Sequence, residues 1–96
     1  MHYIKTTVLD GGIFRLSYDG KMRPHLGNVI VAVPKISEGQ AVGVNSPLFV
    51  LETNRRLCKI STPIRGTVVK YNKKLECCTP PSDDLWLCDI YAMPSL

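Results

Sequence analysis

The chain has 96 residues, 45% of them hydrophobic, which suffices for one small domain and leaves no room for a second core. Seven Gly and seven Pro punctuate many short apolar runs, a pattern of all-β sandwiches and barrels rather than helical bundles. The net charge of +4 suits acidic partners, and no apolar run approaches the ~20 residues of a membrane-spanning helix.

Tyr3 to Leu9 predicts a first strand and Ile13 to Tyr18 a second, joined by the hairpin signal Asp10-Gly11-Gly12. In the second strand Ile13, Arg15 and Ser17 alternate with Phe14, Leu16 and Tyr18. The opening MHYIKTTVL has neither the apolar stretch of a signal peptide nor the Arg- and Ser-rich composition of a presequence. After Asp19-Gly20, the connector KMRPHL has room for one helical turn, which Pro24 keeps short. His25 has no second His or carboxylate at ligand spacing and reads as a surface or packing residue.

Gly27 to Val33 is the most apolar strand and ends at Pro34. Glu38-Gly39 predicts a turn before Val42, and Asn45-Ser46-Pro47 turns the chain again. Leu48 to Leu51 is a continuous apolar run, as expected of a strand buried on both sides. Glu52, Thr53, Asn54, Arg55 and Arg56 interrupt it, with Asn54 tolerating the backbone angles of a tight hairpin. Leu57 to Thr62 then alternates, Cys58, Ile60 and Thr62 on one face and Leu57, Lys59 and Ser61 on the other. These residues predict a two-stranded ribbon with two arginines at its tip.

Gly66-Thr67-Val68-Val69-Lys70 opens the next β run, and Asn72 is expected at its strand-to-turn junction, bonding nearby backbone groups. Lys73 and Lys74 read as solvated turn charges. Cys77 to Asp84 is a loop, and Leu85 to Tyr91 is the last strand. The expected core comprises Ile13, Val29, Val31, Val33, Val50, Ile60, Val68, Leu87 and Ile90. Cys58, Cys77, Cys78 and Cys88 contain no CxxC pair, so free thiols in a reducing compartment are expected and no metal site. A cytoplasmic location is expected, with the mitochondrion as the alternative.

Several of these segments resemble the H protein of the glycine cleavage system, a relative of lipoyl and biotinyl carrier domains. The family pattern Glu-Ser-x-Lys-Ala, a short strand, then Ser-Pro-x-x-Gly-x-Val is similar to Glu52-Thr53-Asn54-Arg55-Arg56 followed by Thr62-Pro63-Ile64-Arg65-Gly66-Thr67-Val68. Leu26-Gly27, Val33-Pro34, Asn72 and Trp86 match further motifs, over roughly residues 13 to 91. Gly27-Asn28-Val29-Ile30-Val31 and Gly66-Thr67-Val68-Val69-Lys70 form a faint internal repeat, in keeping with a fold of two similar halves. The resemblance implies a flattened barrel-sandwich hybrid of two antiparallel sheets, without the C-terminal helix of typical H proteins. It also implies that the lysine carrying the lipoyl arm is replaced by Arg55, whose guanidinium stays protonated and is a poor nucleophile.

The resulting expectation is a non-catalytic, H-like domain without a cofactor. Its tip, Glu52, Thr53, Asn54, Arg55 and Arg56, would present arginine forks to an acidic protein partner. One alternative is a lipoyl carrier modified at Lys59, the lysine nearest the tip. A second is a nucleic-acid-binding barrel using Arg55, Arg56, Lys59, Arg65, Lys70, Lys73 and Lys74, although Tyr71 is the one aromatic within that cluster. No membrane partner is expected. No Ser-His-Asp or Cys-His arrangement and no phosphate-binding glycine loop argues for an enzyme.

Overall fold

The computed structural model describes residues 4–19, 21, 27, 29–73 and 86–92. The expected helical turn at 20–26, apart from Lys21, lies outside these residues, as do His25, Lys74, Cys77, Cys78 and the 77–84 loop. Eight strands are described: β1 (Ile4–Val8), β2 (Ile13–Tyr18), β3 (Val29–Pro34), β4 (Ala41–Val42), β5 (Pro47–Thr53), β6 (Leu57–Ser61), β7 (Gly66–Tyr71) and β8 (Trp86–Ala92). They form two antiparallel sheets, one in the order β1-β2-β8-β7-β4 and one in the order β3-β5-β6. The all-β expectation holds, and each predicted strand lies within two residues of an observed one.

The local reasons for these strands are visible in their turns. Gly11 and Gly12 both take positive φ between β1 and β2, which closes the hairpin the Asp-Gly-Gly signal predicts. Gly39, at φ 87°, occupies the third position of a turn closed by the Gln40 amide donating to the Ser37 carbonyl at 3.1 Å. Asn45, at φ 72°, plays the same part in the Gly43–Ser46 turn, where the Ser46 amide donates to Gly43 O at 3.0 Å. The Asn72 side chain donates to Trp86 O at 3.1 Å, a bond across to β8 and 14 positions away where the sequence suggested a partner close by in the turn.

The core lies between the sheets. On the three-stranded side, Ala32, Leu51 and Cys58 form one inward row and Phe49 pairs with Ile60 in the next. Leu16, Tyr18, Val68, Leu87, Cys88 and Ile90 meet them from the five-stranded side. Ile60, Val68, Leu87 and Ile90 are buried as predicted. Val33 is not, at 42% exposure, and Ile13, Val31 and Val50 are half-buried; the side chain of Val29 lies outside the described set.

Three of these differences share a cause, and Ile13 has its own. The strand around residues 29–33 is apolar at every position, so no polar residue marks its outer face. The small Ala32 faces inward, opposite Leu51, and Val31 and Val33 therefore face out. Val50 pairs with Val33 and shares that outward row. Ile13 pairs with Tyr91 on the outer side of β2, whose inward residues are Leu16 and Tyr18.

Candidate functional site

The β5–β6 ribbon is the feature through which the sequence motif enters three dimensions. Glu52 pairs with Leu57, leaving Asn54 and Arg55 as the two central residues between Thr53 and Arg56. The Thr53 amide donates to the Arg56 carbonyl at 2.9 Å and closes the loop. Neither Asn54 nor Arg55 has positive φ, so the turn does not use the left-handed tolerance expected of Asn54.

Thr53 shapes this turn instead. Its buried hydroxyl accepts from the Arg55 amide at 3.1 Å and the Arg56 amide at 3.0 Å, and donates to Arg56 O at 3.1 Å. Two loop N–H groups that no strand partner reaches are thereby satisfied. Thr62 repeats the device at the far end of β6, accepting from the Ile64 amide at 3.1 Å and donating to Ile64 O at 2.6 Å. A hydroxyl residue at each end thus brackets the strand between the two halves of the motif.

The tip also rests on a support that the sequence did not reveal. Gly27 is buried at φ 88°, and a Cβ on it would collide with Asn54 Oδ1 and lie 3.1 Å from Arg55 Cγ. The buried Tyr18 hydroxyl donates to Gly27 O at 3.2 Å, tying this contact back to β2. Glu52, Asn54, Arg55 and Arg56 are solvent-exposed, and Thr53 is buried beneath them. The ribbon therefore displays a guanidinium pair on a turn held from below by a hydroxyl and a close backbone contact.

The other basic residues are distributed differently from their sequence clustering. Lys59 sits in β6 opposite Val50, along the ribbon and not at its turn. Lys70 belongs to β7 in the other sheet, and Lys73 Nζ lies 3.7 Å from Glu38 Oε1. Tyr71 packs against the core, away from the role of an open stacking platform.

A second polar cluster lies on the five-stranded sheet. Arg15 reaches across from β2 to the buried Asp89 of β8, Nε to Oδ1 at 2.8 Å and Nη2 to Oδ2 at 3.1 Å. Its guanidinium also lies 4.3 Å from the centre of the Trp86 ring. The hydrogen bonds to Asp89 hold the Arg15 pKa above its ordinary value, more than desolvation lowers it. Two of the five N–H donors of the fork engage the Asp89 carboxylate in two-point geometry, so the pair clamps β2 to β8. An aspartate inside the apolar run LWLCDIY was the available signal, since a buried carboxylate requires a cation.

Cys58 and Cys88 are both buried free thiols. Burial, with the Asp89 carboxylate adding to it, pushes the Cys88 thiol up to about 12, the opposite of an activated nucleophile. Among the described residues no group of His, Cys, Asp and Glu could hold a metal ion.

Two antiparallel sheets, their strand order and the ribbon between Pro47 and Ser61 define a lipoyl-domain-like barrel-sandwich fold. The chain is similar to the crystal structure of a glycine cleavage system H protein from Mycobacterium marinum, with a TM-score of 0.69 and 17% identity, covering 94% of this chain and 78% of that one. It is also 31% identical, over 70 residues, to a glycine cleavage system H-like protein of Chlamydia muridarum (strain MoPn / Nigg). That match takes in 72% of this chain but spans only 58% of the relative's own length. No family model matches the chain.

Proposed function

We propose that this chain is a glycine cleavage H-like domain that carries no lipoyl group and acts as a protein-binding or structural subunit without catalytic activity. The observation that carries the reading is Arg55, exposed at the centre of the ribbon turn where the motif resemblance places the family's modified lysine. An arginine there stays protonated and does not accept an acyl group. The likeness to an H-like protein and the H-protein fold support a domain of this kind. The Thr53 hydroxyl bonds and the contact with Gly27 support a turn that is presented rather than loose. A tip displaying Arg55 and Arg56 suits carboxylates on a protein partner, since a guanidinium fork pairs with them in two-point geometry.

Incubation with a competent lipoyl ligase, read by intact mass, tests the loss of the carrier role. The unmodified mass is expected. A shift of one lipoyl group, mapped to Lys59, would instead make the chain a carrier modified at an unusual lysine.

A further inference from the structure

The valines expected in the core, Val31, Val33 and Val50, open a surface beside the tip. Two cross-strand rows face outward on the three-stranded sheet, Val33–Val50–Lys59 and Val31–Glu52–Leu57. Val33 is 42% exposed and Leu57 67% exposed, while Val31 and Val50 are half-buried. Val33 and Val50 are direct neighbours about 5 Å apart, and Val31 and Leu57, separated in their own row by Glu52, each lie diagonally from Val50 at about 7–8 Å, so the four apolar side chains gather around Val50. A polar outer face is the usual way a β-sheet stays in water, and scattered apolar residues need no explanation. Here the apolar residues cluster around Val50 between one carboxylate, Glu52, and one cation, Lys59, a mixed pattern that suits an interaction surface.

The charges around the patch select its occupant. Lys59 lies within it, Lys35 follows β3 at one end, and Arg55 and Arg56 cap the other; all are exposed. Glu52 is the one carboxylate in the two rows. A second copy of this chain would bring the same cationic excess against itself, which disfavours self-association. A segment that pairs apolar side chains with carboxylates would satisfy both features.

We propose that the outer face of the three-stranded sheet, Val31, Val33, Val50 and Leu57 with Lys59 and Arg56, docks a partner segment bearing apolar side chains flanked by carboxylates. This rests on the reading of the chain as a protein-binding subunit and moves the main contact from the tip alone to the sheet beside it. Apolar burial supplies affinity, while the cations select against basic and neutral segments.

Three synthetic peptides test it: one alternating Leu and Glu, one with Ser for every Leu, and one with Lys for every Glu. The readout is methyl and amide chemical shifts, with Val8 and Val69 of the other sheet as internal controls. Saturable shifts at Val31, Val33, Val50 and Leu57 are expected with the Leu-Glu peptide alone. L57D and K59E alter exposed positions and retain the fold, and each should weaken binding by about tenfold or more. Shifts confined to the Arg55 and Arg56 amides would overturn the sheet-face proposal and leave tip docking standing. No shift at either place would overturn both. Concentration-dependent shifts at the same methyls without peptide would overturn the acidic partner in favour of a second copy.

Discussion

Gly66 is the position where the motif and the packing meet most tightly, and its replacement by alanine separates two reasons for glycine. Its φ is not in the left-handed region, so backbone freedom is not what the site demands. A Cβ would lie 2.7 Å from Ile90 Cγ2 and overlap the Tyr91 carbonyl oxygen. Tyr91 belongs to β8, which pairs with β7 through Gly66↔Ala92 and Thr67↔Tyr91, so relief requires the ladder to move. Overpacking of this kind costs roughly 1–3 kcal/mol, and one weakened ladder bond adds about 1 kcal/mol. A loss of about 3 kcal/mol is therefore expected for Gly66→Ala, and the Tm of a domain this small should fall by about 12–24 °C. Gly39→Ala is the comparison: φ is 87° there, but nothing lies within 4 Å of the added Cβ. Its cost should be on the order of 1 kcal/mol, from left-handed strain alone. Urea unfolding of both variants reads the difference directly. Equal losses would refute the packing argument and leave Gly66 as an ordinary strand residue.

Arg15→Ala should destabilise by on the order of 3 kcal/mol in chemical denaturation, because Asp89, 2% exposed, would be left buried without its cation. Arg15→Lys should recover only part of this loss, having neither the two-point fork nor the flat face over Trp86. Thr53→Val should leave the Arg55 and Arg56 amides without their acceptor and speed their hydrogen exchange relative to strand amides. Cys88 gives a pH prediction whose sign follows from its raised pKa: the neutral thiol favours the fold fully below the ordinary thiol pKa, and this contribution is lost as pH rises toward about 12. Stability of the wild type should therefore fall more steeply over that window than stability of Cys88→Ala.

The ribbon was legible because its signals agree at every level. Polar residues break an apolar run, the next strand alternates, and Cys58, Ile60 and Thr62 are all buried where alternation put them. The turn was found for an incomplete reason, since the Thr53 hydroxyl rather than an unusual Asn54 backbone shapes it. The facing of β3 was not legible, because an all-apolar strand carries no period and the smallest residue, Ala32, took the inward place. The Arg15–Asp89 clamp joins residues 74 positions apart, and only the pairing of β2 with β8 brings them together. Gly27 under the tip was likewise invisible, although its motif was read, because its contacts, Asn54 and Arg55, lie far from it in sequence.

The most direct test of the loss of the carrier role is a gain of modification. Wild type, Arg55→Lys and Arg55→Lys/Arg56→Ala are each incubated with a competent lipoyl ligase and measured by intact mass. Wild type should stay unmodified, Arg55→Lys should gain lipoyl weakly, and Arg56→Ala should raise that yield by restoring a small residue beside the new lysine. Lipoylation of wild type, or a double variant that accepts no lipoyl group, would contradict the account.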